Sequence, residues 1–274
     1  MYIAIPTQKS CARAWVAAAM EIMKHNDEGY NVIVDVENPV SFDSTDNEII
    51  SEVDDFLRKY DCYPISTVCN TIFPQSLYNQ HGAPVFYEKY HEAFDRLTKT
   101  RRWGRYFERM TRHQTRLGKT YNPLEQLIGK LQERENGGQK FKSAYELAVY
   151  DPLEDGRSRW GGQCLSFLSF KCHPNKGLML TAMYRNHTYI SRCLGNLIGL
   201  GQLQAFVAER AGLTVGSLTC VSTHAEIDKG PARIKDSKQF PWGVRNARDL
   251  ITRSNKILCK SVTSTVSEPI HDDF

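Results

Sequence analysis

The segment from Gly162 to Ile227 constrains the fold more than any other part of the chain. GQCLSFLSF (162–170) and LMLTAMYR (178–185) read as strands, and HPNKG (173–177) between them supplies a hairpin turn. LGNLIGLGQLQAFVAERAG (194–212) is a helix apolar enough to be buried, and Gly212 closes it. LTVGSLTCVSTHAEI (213–227) is a third strand. The apolar strands 163–170 and 178–184 leave two faces to cover, and the single long helix covers only one. An isologous two-fold contact with a second copy of the chain fits that need.

Amphipathic or apolar periodicity predicts helices over 9–25, 45–60, 84–98 and 123–134. YNVIVDV (30–36) is a strand rich in β-branched residues, and 142–149 is a weaker strand candidate. Residues 62–83 carry two prolines in apolar surroundings and read as a packed irregular segment or a short helix. No repeat, low-complexity tract or linker interrupts the 274 residues, so one α+β domain over 1–274 is the simplest organisation.

Composition narrows the class. No run of 18 apolar residues exists, so no transmembrane helix is expected. The N-terminal stretch reads as the first structural helix rather than a signal peptide. Eight cysteines occur without a single CxxC, which suggests neither a zinc ribbon nor a thioredoxin site, and no metal is expected. Free thiols in a reducing cytoplasm are the expectation. The net charge of +4 demands no polyanionic partner. Residues 99–119 are locally basic, and RRWGRYFER (101–109) has three readings: a solvated helix face with buried aromatics, a loop beside a nucleotide, or a grip on single-stranded nucleic acid, the least favoured.

Five residues follow one another in an informative order. Cys164 opens the first strand, Arg185 closes the hairpin, and Asn196 stands near the start of the buried helix. His224 and Glu226 end the third strand. The first four have a structural reading too: a core cysteine, a surface ion-pair arginine, a helix N-cap asparagine, a satisfied structural histidine. Their spacing as a set resembles thymidylate synthase and the related pyrimidine nucleotide hydroxymethylases, with Gln163-Cys164, Tyr184-Arg185, Arg192-Cys193-Leu194-Gly195-Asn196, Leu213-Thr214-Val215-Gly216 and Thr223-His224-Ala225-Glu226 carrying the likeness. The resemblance is strongest over 120–228.

The resemblance implies a three-layer α/β/α fold with a large mixed sheet, and a homodimer packed through one sheet face. It implies that Cys164 adds as a thiolate to C6 of a pyrimidine nucleotide, with 5,10-methylenetetrahydrofolate as carbon donor, for methyl or hydroxymethyl transfer. Arg185 then binds phosphate beside the thiol, Asn196 reads the base and favours uracil, His224 bonds the sugar, and Glu226 accepts from a ribose hydroxyl. Arg157 and Arg159 are further phosphate ligands, because only Lys140 and Lys142 stand where the family's double arginine belongs. The departures are specific. Leu165 replaces a histidine, Thr188 the folate-contacting aspartate, Arg192 a glycine of the folate region, and Glu226 a tyrosine. A relative that binds a nucleotide without folate chemistry is the alternative.

Overall fold

The computed structural model describes residues 2–98, 106–115, 117–157, 162–230 and 242–265. In chain order the elements are β1 (Ile3–Ala4), α1 (Cys11–Lys24), β2 (Glu28–Val36), α2 (Ser44–Lys59), α3 (Ile65–Ile72), α4 (Gln75–His81), α5 (Val85–Thr98) and α6 (Tyr106–Thr111). The short pair β3 (His113–Gln114) and β4 (Thr120–Tyr121) precedes α7 (Pro123–Glu135), β5 (Glu146–Ala148), β6 (Leu165–His173), β7 (Gly177–Tyr184) and β8 (His187–Thr188). A π-turn (Tyr189–Cys193) leads into α8 (Leu194–Ala211), then β9 (Val215–Glu226) and α9 (Val244–Thr265).

Local chemistry sets the helix starts. Ser10 caps α1 by accepting from Arg13 N–H, and its hydroxyl donates to the buried Asp46 carboxylate at 2.6 Å. Asp46 also closes a capping box with Asp43 at the start of α2, so one carboxylate ties two helices together. Asn122 caps α7, with Pro123 in its first turn. The segment 62–83, read as irregular or a short helix, forms the two short helices α3 and α4.

A seven-stranded mixed sheet runs β1-β2-β9-β7-β6-β5, with β8 beside β9. β7 and β9 are parallel neighbours joined through α8, whereas β6–β7 is the expected antiparallel hairpin. Gly177 closes that hairpin at φ 71°, where a Cβ would meet the Thr214 carbonyl oxygen at 2.4 Å, so only glycine fits. β6 starts at Leu165 rather than 162, which leaves Cys164 at the mouth of the strand.

The protein is α+β with a large mixed sheet, as expected. Val32, Val34, Leu180, Ala182, Leu218 and Cys220 are buried on one face. The opposite face stays partly open, with Phe167 and Met183 more than a third exposed. α1 and α8 lie directly on the buried face, and α2, α3 and α9 pack on those two helices. The order is sheet, inner helices, outer helices. The physical reason is α8 itself: it is buried nearly all round, so it needs apolar cover on both sides.

Three glycines let α8 sit that deep. A Cβ on Gly195 would meet Val68 Cβ at 2.7 Å, one on Gly199 the Cys69 carbonyl oxygen at 2.9 Å, and one on Gly201 the Pro39 carbonyl oxygen at 2.6 Å. Cys69 Sγ donates to the Gly195 carbonyl at 3.2 Å across the same contact.

Candidate functional site

Cys164 is half-buried at the hairpin mouth, where its carbonyl accepts from Arg185 N–H at 2.9 Å. Arg185 Nε and Nη2 both donate to the Gln163 carbonyl, at 3.2 and 2.5 Å, and the guanidinium lies 4.7 Å from the centre of the Tyr150 ring. Burial pushes the Cys164 thiol above its ordinary range. The charges of Arg185 and Arg192 and the backbone N–H of Asn186 oppose that shift, and Glu226 adds to it. The resting group is therefore a thiol at neutral pH, and the charges of two guanidiniums favour its anion.

Arg192 is a member of this group that sequence reasoning treated only as a departure. It is the fourth residue of the π-turn, largely buried, with its guanidinium 5.4 Å from the centre of the Tyr63 ring. Burial draws its pKa down, and Tyr106, Asp228 and Cys62 oppose that. The Asp228 carboxylate pins the turn by accepting from Ile190 N–H at 2.8 Å and Ser191 N–H at 3.3 Å. Tyr106, whose hydroxyl accepts from Leu165 N–H at 3.4 Å, is the other missed neighbour. A five-residue π-turn leaves no simple signature in sequence, so nothing there signalled where Arg192 points.

Asn196 is only 4% exposed and does not cap α8; it is the helix's third residue, and the position before the helix makes no side-chain cap bond. The cap reading is corrected for that reason. Its amide nitrogen lies 3.0 Å from His187 Nε2, and His187 Nδ1 lies 2.9 Å from Ser222 Oγ. The His187 ring stacks on Tyr184 with centroids 4.1 Å apart and planes 6° apart. Burial takes the His187 pKa down to about 3, so the ring is neutral at physiological pH.

His224 and Glu226 stand at the rim. His224 Nε2 faces Glu28 Oε1 at 2.8 Å, and its Nδ1 faces Asn186 Oδ1 at 2.5 Å. Asn186 Nδ2 donates to Glu226 at 3.4 Å, and Tyr30 OH donates to Glu28 at 2.7 Å. These bonds from Tyr30 and His224 hold the Glu28 carboxyl below its ordinary range. Asn186, which sequence reasoning passed over, bridges the site: its backbone N–H serves the Cys164 thiol and its side chain serves the rim.

Of the phosphate ligands expected upstream, Arg157 is exposed, and Arg159 lies outside the described residues. Residues 99–105 and 116 of the basic segment also lie outside them. Within the described part, Arg109 pairs with Asp155, Arg112 donates to Asp95 at 2.6 Å, and Phe107 is buried. This is the arrangement of a charged helix face over packed aromatics.

Among the described residues, those at the positions the resemblance assigns to folate do not fit a pterin, whose donor-rich edge needs a carboxylate. Thr188 stands where the resemblance expects that carboxylate, and its hydroxyl accepts from Ser191 Oγ at 3.0 Å. A guanidinium, Arg192, stands where a glycine is expected, and Asp228 is taken up by the π-turn. Among the described residues no group of three or more His, Cys, Asp or Glu is placed to hold a metal ion, and no helix is long and apolar enough to cross a membrane. A cavity of about 730 Å³ opens between α2, α3, α4 and α8, but none of the Cys164 group lines it.

No family model matches the chain, and no curated protein matches it. Among solved structures, the thermostable thymidylate synthase A from Bacillus subtilis is similar, with a TM-score of 0.41 and 10% identity. The match covers 72% of this chain and 65% of that one, so the chain spans less than two thirds of its length.

Proposed function

We propose that this protein binds a pyrimidine nucleotide and adds Cys164 to C6 of the base. The observation that carries the reading is the Cys164 thiol set among Arg185, Arg192 and the Asn186 N–H. A thiol whose anion is favoured by two nearby cationic charges and one backbone donor suits attack on an electrophilic carbon of an anionic substrate. Sγ bonds to C6, the C5–C6 π pair moves to an enolate over C5, C4 and O4, and the thiol proton passes to the Glu226 carboxylate. C5 then takes a proton or a carbon electrophile. Arg185 and Arg192 bind the phosphate, Asn196 reads the base with a preference for uracil, and His224 with Glu226 meets the sugar hydroxyls.

Transfer of one carbon from methylene-tetrahydrofolate is the finer reading that the resemblance implies. Thr188 and Arg192 weigh against it. Binding with reversible addition at C6 is the reading the residues support best. A homodimer through the open sheet face suits Phe167 and Met183, both exposed there. Light scattering at micromolar concentration tests it, and a monomer overturns it.

The deciding experiment weighs the protein after incubation with 5-fluoro-UMP, 5-fluoro-dUMP and 5-fluoro-CMP, with and without methylene-tetrahydrofolate. A covalent adduct that Cys164→Ser abolishes supports addition at C6. Solvent deuterium entering C5 of UMP or dUMP without any carbon donor supports the folate-free form. An adduct that requires the folate restores carbon transfer. Absence of both adduct and nucleotide binding overturns the proposal.

A further inference from the structure

We infer that His187 sets which base Asn196 reads, by tying the orientation of its amide to the tautomer of the ring. The inference rests on the proposed reading that Asn196 faces the base. Asn196, His187 and Ser222 form one buried chain with links of 3.0 and 2.9 Å, and exposures of 4%, 1% and 0%. No solvent is at hand to repair a mismatch in such a chain. A neutral imidazole has one N–H and one lone pair, so its two nitrogens must play opposite parts.

Two arrangements satisfy every group. In the first, the amide nitrogen donates to Nε2, and Nδ1–H donates to Ser222 Oγ. The amide oxygen and the second amide N–H then face outward as acceptor and donor, which matches N3–H and O4 of uracil. In the second, Ser222 donates to Nδ1, and Nε2–H donates to the amide oxygen. The outward pattern then matches N3 and the amino group of cytosine. The amide cannot turn over without the ring changing tautomer, because two lone pairs or two N–H groups would meet.

The environment favours the first arrangement. The amide nitrogen stands against Nε2, and the Ser222 hydroxyl also bonds Tyr189, which gives its proton another acceptor. The ring itself is held flat against Tyr184, so it does not turn to escape the constraint. His187 acts here as a positioning residue, through Asn196.

The direct test is nitrogen NMR of the His187 ring in the native protein, with UMP and then with CMP. The expected result is the Nδ1–H tautomer with UMP and the Nε2–H tautomer with CMP. The same tautomer with both nucleotides overturns the inference. Calorimetric titration of UMP and CMP supplies the second arm, with ribose 5-phosphate as a base-free probe. The native protein is expected to prefer UMP by about tenfold or more, from one buried hydrogen-bond mismatch. His187→Phe keeps the stacked ring and frees the amide, so the preference falls to within about threefold while ribose 5-phosphate binding holds. Asn196→Ala separates the two ideas. If it leaves the native preference intact, Asn196 does not read the base and the underlying reading fails. If it abolishes the preference while His187→Phe preserves it, the reading stands and the role of His187 falls. Should His187→Phe not fold, the NMR result on the native protein decides alone.

Discussion

Two histidines stand almost side by side in one sheet and live in opposite worlds. His187 on β8 pairs in register with Ala225 of β9, and His224 is the next residue along β9. Each has both ring nitrogens engaged. His187 is fully buried, between a hydroxyl and an amide. His224 is open to solvent at one edge, between an amide and the Glu28 carboxylate, with Tyr30 tilted against it at 5.2 Å. The neutral, dry chain specifies by hydrogen-bond parity, because it has no charge and no water to adjust. The charged, wet rim adjusts by electrostatics and is forgiving of shape. Asn186 and Cys164 stand at the boundary between the two.

The sharpest break of this contrast is by truncation. His187→Ala is expected to cost about 3–5 kcal/mol, because it opens a cavity and orphans both Asn196 and Ser222. His224→Ala is expected to leave the urea midpoint almost unchanged. Equal losses would mean that burial does not distinguish the two sites.

Acid sharpens it further. The folded pKa of His187 lies at about 3, below the value of about 6.5 in an unfolded chain. Between these values the unfolded chain binds more protons, so stability rises with pH over that window and is flat above it. On acidification from about pH 6.5 to pH 4 the loss is about 3 kcal/mol from this group. His91, drawn down to about 4 by burial and by Arg112, contributes in the same window. Urea melts across that range should show the slope, and His187→Phe should lack its share. A slope that the substitution leaves untouched assigns the effect elsewhere.

Charge changes should register at the boundary instead. Arg192→Gln removes a cation that favours the Cys164 thiolate, so the thiol pKa rises and alkylation by iodoacetamide at pH 8 slows by about tenfold, one pKa unit. Glu226→Gln works in the opposite direction by a few-fold, about half a unit. Rates followed on the Cys164 peptide by mass spectrometry test both signs, and unchanged rates would mean that neither charge reaches the sulfur. The smallest effect is expected from Tyr30→Phe, which removes one exposed donor to Glu28. It should change nucleotide affinity by about twofold, as titration would show.

Much of the frame was legible because period and punctuation agreed. The helices starting near 9, 45, 84 and 123 and the hairpin about HPNKG lie close to their expected places. Cys164, Arg185, His224 and Glu226 were singled out by their order along the chain, and Asn186 bridges Cys164 to His224 and Glu226. What was missed depends on direction rather than pattern. Arg192 adds its charge to the surroundings of the thiol from a π-turn, and Asn196 turns to His187 rather than to its own helix terminus. α9 drew no expectation, although Ala247, Leu250, Ile251 and Ser254 recur at helical spacing and are buried.

The glycine contacts along α8 have a mechanical consequence. At Gly195, Gly199 and Gly201 its backbone rests almost directly on α3 and on the loop at Pro39. The nearest neighbour is a main-chain carbonyl at Gly199 and Gly201 and the stiff, β-branched Val68 at Gly195, so the helix behaves like a spline in a keyway: rotation and axial sliding are both opposed. Asn196 is carried on that spline, next to one of its teeth. Any movement that accompanies ligand entry is therefore borne by the π-turn ahead of the helix and by the rim, while the helix that carries Asn196 stays still.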